Sequence, residues 1–178
     1  VDFSSKAEVS YPAKLRGKYS TPINTFNGLI YADPEKTILV GHGKRVAENL
    51  VIPEGITAIR KNAFYDCTAL TTVTFPATVK EVGSKAFYNC SKLTTVTFAG
   101  NRPEMFGLDD RAFANCTSLT DASLMLSLLD RLTNETFLNC SSLTGSFIAA
   151  QKLNEIGNNP LSGTNLTEIK FNVIELNL

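Results

Sequence analysis

AFYDCTALTTVTF, residues 63–75, returns as AFYNCSKLTTVTF at 86–98, as AFANCTSLTDASL at 112–124 and as TFLNCSSLTGSFI at 136–148. A degenerate copy, PLSGTNLTEIKF, closes the series at 160–171. A chain that repeats at a short, nearly fixed period is a stack of one unit, because a piece this small cannot bury its apolar side alone. Phe64, Phe87, Phe113, Phe137 and Leu161 mark the period, at separations of 23, 26, 24 and 24 residues. Cys67, Cys90, Cys116 and Cys140 each follow their Phe by three positions.

Two further sets of apolar residues keep the same register. One is the triad Leu70/Val73/Phe75, Leu93/Val96/Phe98, Leu119/Ala122/Leu124, Leu143/Ser146/Ile148 and Leu166/Ile169/Phe171. The other is the pair Ile56/Ile59, Val79/Val82, Met105/Leu108, Leu129/Leu132 and Leu153/Ile156. The triad alternates with Thr at period two, which predicts a short strand that pairs in parallel with its copies. The Phe-centred segment is expected to form one helical turn. Ser84, Asp110 and Asn134 stand where an N-cap oxygen belongs, three residues before Phe. Asp66, Asn89, Asn115 and Asn139 stand two residues after it, where a residue tolerant of the left-handed region ends the turn. Three extra residues fall within AGNRPE at 99–104, an external bend, and the single extra residues of later copies are expected there too.

The fold predicted is therefore a β-rich α/β solenoid, with a parallel sheet on one face and short helical turns on the other. Residues 1–24 form a lead-in without the repeat, and 25–178 form a single domain. Within it, TFNGLIY and KTILV flank Asp33-Pro34 and predict a β-hairpin cap over 25–50. The repeats run over 51–172 and 173–178 is the C-terminal end; Glu168 to Leu178, EIKFNVIELNL, is expected to extend the last strand and cover the final rung. Such a cap has a reason to exist, since the first rung otherwise shows its interior and an unpaired edge.

Composition excludes several classes of function. The chain has 178 residues, 17 basic and 17 acidic, and 43% hydrophobic content, with a pI near 6.8. A dispersed, balanced charge argues against nucleic acid, which needs a basic stripe. No apolar run approaches the roughly 20 residues of a spanning helix, so no membrane insertion is expected. The first residue, Val1, fits a processed secreted chain or a trimmed one equally.

Candidate chemistry is sparse. Four cysteines suggest two disulfides at first. Their identical place in each repeat instead predicts reduced, buried, structural thiols in one column. A zinc site needs tighter Cys clustering and His partners, so no metal and no cofactor are expected. His42, the only histidine, lies in GHGK, which lacks phosphate-loop spacing and is read as a solvated loop. Asp109-Asp110 supplies paired acids at a turn start, where the dipole already accounts for them. An enzyme is not expected, and a small hydrolase or carbohydrate-active domain would need clustered acids or a His at a cleft. What remains is the outward side of the predicted strands: Thr72, Thr74, Thr95, Thr97, Asp121, Ser123 and Phe147. Thr on an exposed strand is good sheet chemistry in itself. A polar array with one exposed aromatic at Phe147 also suits an extended partner.

Together, the anchors, the Asn/Asp-Cys pairs, the LTxVTF strands, NGLIYADPEKTILVGHGK and VIPEGITAIRKNAF resemble the BspA-like leucine-rich repeats of bacterial surface proteins. The resemblance covers roughly residues 26–172. Departures lie in the later copies, where Pro76 has no counterpart, Ser146 takes an apolar slot and the last copy lacks its Cys. The resemblance implies a curved leucine-rich-repeat stack, secreted or held at the cell surface. It also implies an adhesion role through binding of host or bacterial surface proteins or glycans. A structural spacer within a larger surface protein is the alternative.

Overall fold

The computed structural model describes residues 24–26, 28–43, 46–100, 103, 106–149 and 152–171. The lead-in before Asn24, the apolar slot at Met105 and the end segment after Phe171 lie outside these. In chain order the elements are β1 (Asn24–Phe26), β2 (Leu29–Tyr31), β3 (Ile38–His42), β4 (Asn49–Val51), β5 (Ala58–Ile59), β6 (Thr72–Pro76) and β7 (Glu81–Val82). They continue as β8 (Thr95–Ala99), β9 (Gly107–Leu108), α1 (Ser123–Leu126), β10 (Arg131–Leu132), β11 (Thr144–Ala149), β12 (Glu155–Ile156) and β13 (Asn165–Phe171).

The triad segments pair in parallel, as β4-β6-β8 and again as β11-β13. Thr72, Val73 and Thr74 stand beside Thr95, Val96 and Thr97, one full repeat apart. The apolar pairs do more than expected. Each forms a two-residue strand, and these build a second parallel ladder along β5-β7-β9 and β10-β12. The unit thus has two strands per turn.

The third side of each unit is a chain of tight turns and not the helical turn expected. Asn62, Lys85, Arg111, Glu135 and Asn159 take positive φ two residues before the anchor. Asp66, Asn89, Asn115 and Asn139 do so two residues after it, as their residue type suggested. A left-handed residue on both flanks leaves no room for a helical run. The turn N–H groups are satisfied between units instead. Asn62, Phe64 and Asp66 donate to the carbonyls of Ser84, Ala86 and Tyr88, and Lys85, Phe87 and Asn89 donate to those of Asp110, Ala112 and Ala114. Three donors of each such turn therefore find their partners in the next rung, and the amides between them bond within the turn itself.

Inside, Phe64, Phe87, Phe113 and Phe137 form one column, fully buried. Successive rings stack at 4.9, 5.0 and 5.7 Å, within 8° of parallel. Full burial of each such ring contributes about 1.5–3 kcal/mol. His42 belongs to this column as well. Its ring lies 5.4 Å from Phe64 at 4°, so the residue read as a solvated loop histidine is the top of the aromatic stack. The cap is a three-stranded meander, β1-β2-β3, joined to the short-strand ladder through β3 and β5. Its turn at Asp33-Pro34 is held by the Asp33 carboxylate, which accepts the N–H groups of Thr37 and Ile38 and the Thr37 hydroxyl. Slight burial works against the charge, yet those three donors hold the Asp33 carboxyl below the usual carboxylate range.

Two rungs depart from the rule. Over DASLMLSLLDRL, residues 121–132, no β-branched residue occurs and Leu and Met dominate. That composition prefers helix to strand, and α1 stands where a strand was expected. Met125 and Leu126 are buried there, whereas Leu124 is only half-buried. In the next rung Gly145 adopts φ +84, and the register between β11 and β13 shifts at Gly145/Ser146. The extra residue of each of these copies therefore lies in the helix and in the strand, not in the external bend.

Candidate functional site: the exposed sheet face

The face built by β4, β6 and β8 carries two columns. The first is Asn49, Thr72 and Thr95, extended by a single bridge to Asp121. The second is Val51, Thr74 and Thr97. Column neighbours are spaced as parallel strands are, about 4.8 Å. Thr72, Thr74 and Thr95 are half-buried, whereas Thr97, Asp121, Asn49 and Val51 are exposed. The hydroxyls are partly engaged with one another. Thr72 donates to Asn49 Oδ1 at 2.9 Å, Thr74 and Thr97 share a hydrogen bond of 3.2 Å, and Thr95 reaches Thr94 at 3.4 Å. Their remaining donor and acceptor capacity faces outward.

The predicted surface is shorter than the sequence suggested. Asp121 accepts the N–H of Ser123 at 2.7 Å, and Ser123 opens α1 instead of continuing a strand. Phe147 requires a larger correction. It was expected outside as an aromatic anchor, but it is buried at 4% exposure, while Ile148 beside it is 59% exposed. A one-residue slip moves every following side chain to the other face of a strand. Gly145 supplies that slip, so Phe147 and Ala149 fill the slots that Val73 and Phe75 fill earlier. The signal was available, because LTGSFIA without its glycine fits the repeat spacing. Val51, at 65% exposure, adds an apolar contact to this face.

Elsewhere, reactive groups are committed to structure. All four cysteines are free and buried. Cys90, Cys116 and Cys140 donate their Sγ–H to the carbonyls of Phe64, Phe87 and Phe113, at 3.1–3.2 Å. Burial pushes the Cys67 thiol up to about 11 and that of Cys140 up to about 12. Burial, and then the neighbouring Cys90, raises Cys116 well above the usual thiol range. Such thiols are poor nucleophiles and metal ligands, since both roles need the thiolate. Asp110 accepts hydrogen bonds from the backbone and side-chain amides of Asn134, which accounts for its carboxylate. Among the described residues no three His, Cys, Asp or Glu side chains are grouped to hold a metal ion. Among them, too, no helix is long and apolar enough to cross a membrane.

A stack of parallel-strand turns with a polar strand face, buried Phe and Cys columns and Asn-rich turns is a leucine-rich-repeat solenoid. The BspA type leucine rich repeat region matches residues 43–167 in six copies, and the chain belongs to that family. A comparison with curated proteins finds no match. Among solved structures, the leucine rich repeat protein of T. pallidum is 22% identical, with a TM-score of 0.62 over 80% of this chain and 78% of that one. A leucine rich cell surface protein from Faecalibacterium prausnitzii is 22% identical, with a TM-score of 0.64 over 85% of this chain and 51% of that one. A leucine-rich repeat protein from Bacteroides ovatus is 26% identical, with a TM-score of 0.50 over 65% of this chain and 34% of that one. The chain thus spans about half the length of the Faecalibacterium protein and about a third of the Bacteroides one. Membership of this family points to a protein-interaction or structural module, in a family and among neighbours that are generally non-enzymatic.

Proposed function

We propose that the protein is a non-catalytic recognition module, displayed at the cell surface, which adheres to a host or bacterial surface protein or glycan through the β4-β6-β8 face. The observation that carries this reading is the double column of Asn49, Thr72, Thr95 and Val51, Thr74, Thr97 on strands locked in register. Hydroxyls at strand spacing offer repeated hydrogen-bonding points to an extended chain, and Val51 adds an exposed apolar contact. A rigid array loses little entropy on binding, which favours affinity.

The test is a glycan and protein array probed with the chain and with Thr97→Lys and Val51→Asp variants. Both substitutions are exposed and leave the core intact. Loss of captured ligands by both variants supports the face, and unchanged capture by both rejects it. Phe147→Ala is not a probe of this surface, because it would hollow the interior.

A second reading is a structural spacer. It is favoured by the hydroxyl pairs themselves, since Thr74 to Thr97 and Thr72 to Asn49 stabilise the sheet without any ligand. It predicts an array without specific hits, and Thr97→Lys would then change only stability.

A further inference from the structure

Among the described residues the two ends of the stack differ. At the start, the β1–β3 meander and the His42 ring cover the first rung. At the far end, among the described residues, no strand pairs with the outer edge of β13 or of β12. Ile156 and Ile169, 55% and 40% exposed, border a groove of about 330 Å³ whose apolar wall includes Leu132, Phe147, Leu153 and Leu161. A seven-residue edge strand beside an apolar groove is a template for another chain.

The charges on β13 select the partner. Glu168 and Lys170 flank Ile169 and lie 3.2 Å apart. Consider a second β13 laid antiparallel, about a two-fold axis normal to the sheet and passing beside Ile169. Residues directly opposite one another then share a face. Each Glu168 meets the Lys170 of the other copy, and the two Ile169 side chains meet on the groove side. The next register in either direction sets Glu168 against Glu168 or Lys170 against Lys170, so the charge order selects one alignment. We propose that this edge binds a second copy of the chain, by antiparallel pairing of two β13 strands with their apolar grooves abutting. The contact is isologous and closes at two subunits.

Light scattering or sedimentation of the full chain then gives twice the 19.4 kDa chain mass. Glu168→Lys or Lys170→Glu alone places like charges opposite each other on both sides of the axis, which weakens association about tenfold. The double reversal restores it. Both side chains are about half exposed, so neither change enters the core, and circular dichroism confirms folding. A monomer at every concentration overturns the proposal, as does an association indifferent to the reversals or an open-ended series of larger species. It is equally overturned if a chain ending at Phe171 dimerises while the full chain does not, because residues 172–178 then fill the groove.

Discussion

From Asn49 to Ala99 the strand side of the stack is regular, whereas from Asp121 to Ala149 it is broken by a helix and then by a bulge. The turn side of the same rungs hardly changes. Phe113 and Phe137 stack as Phe64 and Phe87 do, and Arg111, Asn115, Glu135 and Asn139 keep their left-handed φ. The difference teaches that this fold is specified by its turns and aromatic column. Strand geometry is negotiable provided some apolar group, whether Val73, Met125 or Phe147, reaches the interior.

The largest expected effect tests that claim directly. Phe87→Ala, in mid-column, should cost about 3–5 kcal/mol, as truncation of a buried Phe does, whereas Ile156→Ala at the exposed end should cost less than about 1 kcal/mol. Urea titration of both variants separates them, and equal midpoints would show that the column is not the core. Gly83→Ala should follow. A Cβ there would stand 2.8 Å from the backbone N of Lys61, an overpacking worth about 1–3 kcal/mol. A Gly83→Ala melt that matches the parent would mean that neighbouring rungs slide apart more easily than their hydrogen bonds imply. Thiol reactivity sharpens the comparison without mutation. The native protein should label only at the rate at which it opens, starting with Cys67 beneath the cap, and four thiols should titrate on denaturation without reductant. Rapid labelling of Cys116 or Cys140 in the folded state would place the irregular rungs among readily opening segments. The smallest effect is expected from deleting Gly145. LTSFIA then has the spacing of LTTVTF, so stability should change by less than about 1 kcal/mol. A large loss would show that the bulge has its own structural role.

The repeat made most of the fold readable. Identical side chains at fixed intervals can only share columns, and so the buried Phe, Cys and Leu positions followed from spacing alone. The left-handed residues after each Phe were legible because Asn and Asp tolerate that region. Those before it were not, because Lys85, Arg111 and Glu135 carry no such signature and are held there by donating to the next rung. The two-residue strands were missed because period-two alternation needs more than two residues to register. Phe147 was misplaced because a fixed spacing was imposed on a copy that contains one extra glycine. The candidate face was legible where Thr and Val alternate and illegible where they give way to Leu and Met, at Ser123.

Each rung hands its successor three turn amides, and receives strand amides back, at positions set by backbone alone. No side chain needs to know which rung it is in. A 23-residue segment can therefore be duplicated or excised with the backbone hydrogen bonds across each surviving junction preserved. Lengthening this molecule by tandem copying would enlarge its exposed face without any redesign of its interior.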